Sequence, residues 1–313
     1  MSKISLSSPI LTDLCSMFEC DGCSRILTIQ DNNENFDYVS FVKNYYLSVV
    51  ENSYDLEIEE DKNIVSNMKN LYIEQTFKDP IKIKELLELN EKIEKTDVLY
   101  ILTSNKKSDI EIANLVSQNS DFCISIICML SNDNTNLETL NNNSDITIVI
   151  PKHQIFNNLN DKSNNNLLNN TIATYLSNIF ISITNTFISN NTNAFSLCIH
   201  DLQSALVHEN GWCYYGIGGY KGLNEAMNAT LNAINTQCVK ENISKSKGVL
   251  VHFIHNEEYP ITKISEAMNY IEELANEEAY VIFSTTAIID IGKDEIYVNI
   301  IVSGIEKNIR SVF

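Results

Sequence analysis

The 313-residue sequence predicts an α/β chain in two parts: a doubly wound, mostly parallel sheet, joined by a long central helix to a smaller α/β sandwich domain. Three observations carry this. In the first half, short apolar runs alternate with segments of helical periodicity, the pattern of strands linked by crossover helices. From Leu168 onward apolar residues recur at three and four through Ile172, Leu176, Ile179, Ile183 and Phe187, enough for a helix that crosses a domain. Of the nine glycines only Gly22 precedes Gly211, so the composition changes where the second part begins.

Taken in order, residues 1–24 form a leader with Cys15, Cys20 and Cys23. Residues 25–30 (RILTIQ) read as a first strand, and 36–50 as a helix after the polar DNNEN run. Residues 79–95 read as an amphipathic helix that Pro80 opens at its first turn. Residues 98–103 (VLYILT) are a buried-type strand, 110–116 a helix, 122–130 a strand, and 145–150 (DITIVI) a strand stopped by Pro151. Asn-rich links flank this last strand, and Asn favours turns. After the long helix come a glycine-rich turn over 211–222, a helix to about Val239, a strand over 248–254 and a helix over 262–276. The closing strands, 279–288 and 295–305, are expected to pair antiparallel through the 290–294 turn.

Lys and Arg number 22 against 41 Asp and Glu, a formal charge of −19. Nucleic acid is excluded as a partner, because a phosphate backbone is bound by clustered cations, and the cations here gather only into small groups such as Lys240, Lys245 and Lys247. Residues 163–200 are uncharged, but half of 171–190 is Ser, Thr or Asn, so no membrane insertion is expected. The N-terminus, with Lys3 and then Asp13 inside its apolar stretch, reads as neither signal peptide nor anchor. A cytoplasmic location with reduced cysteines follows as the expectation.

Residues 201–305 resemble the FtsZ family of the tubulin superfamily. The likeness rests on Gly211-Trp-Cys-Tyr-Tyr-Gly216-Ile-Gly218, on an Ala-rich helix through Ala226, Ala229 and Ala233, on Lys247-Gly-Val-Leu-Val251, and on closing strands that end Ser303-Gly304-Ile305. Upstream, Thr96 to Thr103 resembles the strand before the family's signature loop, and 145–156 (DITIVIPKHQIF) its strand ending in Pro-Asn. The resemblance implies an FtsZ/tubulin-like fold, with a leader (1–24), a degenerate nucleotide-binding-like domain (25–165), a central connecting helix (166–190) and an FtsZ C-terminal-like domain (191–313).

The departures from the family are functional. Members hold GTP on a Gly-Gly-Gly-Thr-Gly-Thr-Gly loop directly after the strand that here ends at Thr103, where this chain reads Ser104-Asn-Lys-Lys-Ser-Asp-Ile-Glu111. Without glycine the backbone amides cannot approach a phosphate closely, and Asp109 and Glu111 would compete with it for the helix N-terminus. The loop after the first strand is Asp31-Asn-Asn-Glu34, and no acid lies between Asp161 and Asp201 to read a guanine. The family's catalytic Asn-x-Asp-x-x-Asp aligns with Ser196, Cys198 and Asp201, so Asp201 is the residual family-matching catalytic position. The resemblance thus implies a catalytically inactive cytoskeletal or cell-division protein without cofactor or GTP. Its expected partner is an active FtsZ-family protein or itself, and the tethering tail that family members carry after the closing strand is not expected.

Two other readings stay open: a divergent filament-forming GTPase with an unorthodox pocket, and a metal or redox module. The second rests on Cys15, Cys20 and Cys23, spaced C-x4-C-x2-C as in iron–sulfur or zinc sites, without a nearby fourth cysteine. His252 and His255, three apart in a strand, face opposite sides and cannot share a metal. Cys198 and His200 would share a strand face, but no oxyanion loop accompanies them. The acidic run from Glu57 to Asp61 reads as solvated surface.

Overall fold

The computed structural model describes residues 24–29, 41–42, 44–45, 48–49, 76–77, 98–117, 122–129, 137, 140, 142–157, 165–188, 199–209, 211–289 and 291–306. Two compact units form, with a boundary inside the long helix between Ser177 and Asn178.

The first unit holds a parallel sheet of β1 (Ser24–Ile29), β2 (Thr76–Phe77), β3 (Val98–Ser104), β4 (Cys123–Cys128) and β5 (Ile146–Ile150), in the order β2-β1-β3-β4-β5. The sequences CISIIC and ITIVI are buried at every position, as expected of strands covered on both faces. α1 (Lys107–Ser117) follows β3 and buries Ile110 and Ala113. α2 (Lys152–Asn157) starts at once after β5, its first amides bonding back to the Pro151 carbonyl, as from Gln154 at 3.0 Å. Of the expected helix over 36–50, the described Phe41, Val42, Asn44, Tyr45, Ser48 and Val49 are helical. The one expected over 79–95 lies outside the described residues.

α3 (Asn165–Ile188) has 24 residues and is about 36 Å long. Its polar content and its burial are compatible because hydroxyls bond back to the helix itself. Ser177 donates to the Ala173 carbonyl at 2.8 Å and Ser182 to that of Asn178 at 2.6 Å.

The second unit takes in Tyr45–Met68 and α3 from Asn178 on, followed by α4 (Ile199–Leu206) and β6 (Gly211–Lys221). It continues with α5 (Glu225–Ile234), α6 (Gln237–Asn242), β7 (Gly248–Asn256), α7 (Ile261–Leu274), β8 (Tyr280–Ile288) and β9 (Glu295–Glu306). The strand order is β6-β9-β7-β8, with β9 antiparallel to both neighbours and β8 parallel to β7.

Two expectations are corrected here. The glycine-rich stretch over 211–222 is a strand of 11 residues, not a turn. Its glycines serve packing: a Cβ at Gly216 would stand 2.4 Å from the Ala233 carbonyl oxygen, and one at Gly218 2.1 Å from that of Ala229, so α5 lies directly on the strand backbone. The closing strands do not pair with each other. α7 returns the chain so that β8 runs parallel beside β7, while β9, buried from Val298 to Ile305, takes the position between β6 and β7. A strand apolar on both faces belongs inside a sheet.

Candidate functional site

Open parallel sheets place ligands at the carboxyl ends of their strands. In the first unit β3 ends at Ser104, in register with Cys128 of β4, itself in register with Ile150 of β5. From Ser104 the chain enters α1 through Asn105 and Lys106 alone. The Ser104 hydroxyl donates to Asp109 Oδ2 at 2.6 Å and accepts the Lys106 N–H at 3.2 Å. The Lys106 carbonyl receives the N–H groups of Asp109 at 3.1 Å and Ile110 at 3.0 Å. Ser104, Asn105 and Asp109 are all buried. A helix's first turn offers unpaired amides and a partial positive charge, and here a serine hydroxyl and an aspartate of the same chain face it. Nearby, burial pushes the Cys128 thiol up to about 12, so it stays protonated and inert.

In the second unit, α4 carries Asp201 in its first turn, half-buried, with His200 exposed beside it. The helix is seated by Leu202, Ala205 and Leu206, all buried. The Ser303 hydroxyl ties it to the sheet, donating to the Ala205 carbonyl at 2.5 Å and lying 3.0 Å from that of Gly248. The His200 ring lies 3.4 Å from the Ser204 hydroxyl.

A buried polar row crosses this sheet. His252 is enclosed, with Nδ1 2.7 Å from the Ser284 hydroxyl and Nε2 3.1 Å from that of Thr286. Burial, with His255 adding to it, lowers the His252 ring to about 3, so it is neutral. On β9, Asn299 is in register with His252 and accepts the Tyr215 hydroxyl at 2.5 Å. The His255 ring has its own partner, the Asn256 carbonyl at 2.7 Å from Nδ1, so the two histidines do not meet at one site.

A third cluster joins two helix starts. The carboxylate of Glu225, buried at the start of α5, receives the Lys263 ammonium from the first turn of α7. Burial alone would raise the Glu225 carboxyl, but the bond from Lys263 and one from the residue's own backbone N–H outweigh it and hold the group below its usual range. Lys263 also lies over the Tyr259 ring, 5.5 Å from its centre. Spacing in the sequence gave no sign of this pair, which lies 38 residues apart.

Residues 211–306 match the family model described as the C-terminal domain of the FtsZ family. Over 109 residues the chain is 33% identical to the cell division protein FtsZ of Helicobacter pylori, a match covering 34% of this chain and 28% of that protein. An FtsZ point mutant from M. jannaschii superposes with a TM-score of 0.68 at 14% identity, over 95% of this chain and 96% of that one. Residues 211–306 are thus similar to the FtsZ C-terminal domain, and the fold of the chain is that of FtsZ. A CetZ2 protofilament from Haloferax volcanii, bound to GTPγS, matches with a TM-score of 0.54 at 9% identity over 92% and 96% of the two chains. The sequence match to the Helicobacter pylori FtsZ thus spans less than a third of that protein's length.

Asp201 and the Ser104–Asp109 turn lie in different units. Cys15, Cys20, Cys23, Ser196 and Cys198 lie outside the described residues. His200 is helical, not in the strand expected for it. Among the described residues no group of three metal-ligating side chains converges, and no helix is long and apolar enough to cross a membrane.

Proposed function

We propose that this chain is an FtsZ-like cytoskeletal or cell-division protein that neither binds nor hydrolyses GTP and acts as a structural or regulatory component. The observation that carries this reading is the turn after β3. Asp109 brings a carboxylate to the start of α1, bonded to Ser104, at the place where the family resemblance puts a phosphate-binding loop. An incoming phosphate would meet a like charge and buried side chains instead of bare backbone amides. Asp201 then has no nucleotide beside which to orient a water, since its family role is completed by the GTP of a second subunit.

The relatives are named as a cell division protein and as a nucleotide-bound protofilament. The expected partner is accordingly an active FtsZ-type filament, which this chain would cap or modulate through its second unit. Calorimetric titration with GTP and Mg²⁺ tests the first part: no heat of binding is expected, and micromolar affinity would overturn it. Asp201→Ala is expected to leave any trace turnover unchanged. Co-sedimentation with the host's active FtsZ tests the second: sub-stoichiometric amounts should alter GTP-dependent pelleting, and unchanged pelleting would remove the modulator role.

A further inference from the structure

We propose that one end of the second unit, where β6, β7 and β8 finish and β9 begins, is a docking surface for a protein segment carrying Lys or Arg beside apolar side chains. Leu223 stands at this end, 88% exposed, far beyond any other large apolar side chain described. Tyr220, Ile261 and Ile289 are also exposed there. An isolated exposed leucine means little, but several large apolar groups gathered at one end mark an interaction site.

The surface is built rather than loose. Leu223 sits between two left-handed residues, Gly222 at φ +125° and Asn224 at φ 57°. The Gly222 N–H bonds the Asp294 carbonyl at 2.8 Å, joining this turn to the start of β9. Asn256 Nδ2 donates to the Ile291 carbonyl at 2.8 Å, joining β7 to the same turn. Rigid presentation lowers the ordering cost of association.

Charge selects the occupant. Lys221, Lys263 and Lys293 are each held by an acid of the same end, Glu295, Glu225 and Glu258 respectively. Glu257 and Asp294 remain in excess, both exposed. A second copy of this chain would bring the same excess and a further charge of −19, so the favoured occupant is basic. This inference does not depend on whether the first unit binds nucleotide.

The test uses the full chain and two fluorescein-labelled peptides, one of Leu-Leu-Lys-Lys repeats and one of Leu-Leu-Glu-Glu repeats, with binding read by anisotropy. The basic peptide should bind and the acidic one should not. Leu223→Ser should weaken binding about tenfold or more, the scale of one lost apolar anchor. The Glu257→Lys and Asp294→Lys pair should weaken it as well. Glu277→Lys with Glu278→Lys, the same charge change before β8 at the other end, should leave it unaltered. Equal binding of both peptides, no binding of the basic one, or equal losses in the control pair would overturn the proposal. So would a dimer that Leu223→Ser converts to monomer in sedimentation velocity, because the occupant would then be a second copy.

Discussion

Gly248 and Ala205 meet through bare backbone: a Cβ on Gly248 would stand 1.8 Å from the Ala205 carbonyl oxygen. Leucine-sized side chains elsewhere in the unit can shift to absorb a methyl group, but a carbonyl fixed in a helix that Ser303 also bonds cannot. Gly248→Ala should therefore push α4 off the sheet. The expected loss is about 2–3 kcal/mol, the upper range for overpacking, read as a lower denaturant midpoint at unchanged m-value.

Lys263→Met should destabilise the protein by about 1–2 kcal/mol. The Glu225 carboxylate is buried and would lose its counter-ion, yet Lys263 is itself nearly half exposed, so the loss falls below that of a fully buried pair. Adding Glu225→Gln should recover part of it, because the stranded charge is then gone. A double variant no more stable than Lys263→Met would contradict this account. The same group has a pH signature. Its folded pKa lies below the unfolded value, so its contribution is present above the usual carboxylate range and is lost as pH falls through the folded pKa.

The His252 ring gives a second pH dependence at higher pH. Its folded pKa is lowered to about 3, whereas the unfolded ring titrates near ~6.5. The unfolded state therefore takes up the proton first, and stability should fall as pH drops below ~6.5 by about 1.4 kcal/mol per unit from this group. His255, also lowered by burial, adds in the same direction. Urea melts at neutral pH and near pH 5 should show the slope, and His252→Gln should reduce it while lowering stability overall, since Ser284 and Thr286 lose their ring partner.

Ser104→Ala removes a hydroxyl that holds both the Lys106 amide and the Asp109 carboxylate. The expected cost is about 1 kcal/mol, as for losing a helix cap. No gain of GTP binding should accompany it, because Asp109 remains. Equilibrium unfolding together with nucleotide titration checks both halves of this expectation.

Much of the strand content was legible because it depends on runs of residues. CISIIC and ITIVI can hardly be anything other than buried strands, and the repeat from Leu168 to Phe187 specifies a long helix without reference to any neighbour. The glycine-free segment after Thr103 was legible for the same reason, since a backbone phosphate cradle needs glycine in the sequence itself. Local pattern failed at 211–222. There glycine suggests a turn, and only the overlying α5 explains why a strand should carry Gly216 and Gly218.

By itself, then, the sequence determined the identity of most described elements, the superfamily likeness of residues 201–305 and the acidic character of the chain. These follow from periodicity, motif order and composition, all of which are local or additive. Tertiary structure alone decided that β9 lies between β6 and β7, that Glu225 finds Lys263, that Ser104 turns back to Asp109, and that Leu223 projects from an end tied together by hydrogen bonds. The placing of β9 and the meeting of Glu225 with Lys263 are pairings between distant residues, set by which faces are buried together, and no local propensity encodes such a choice.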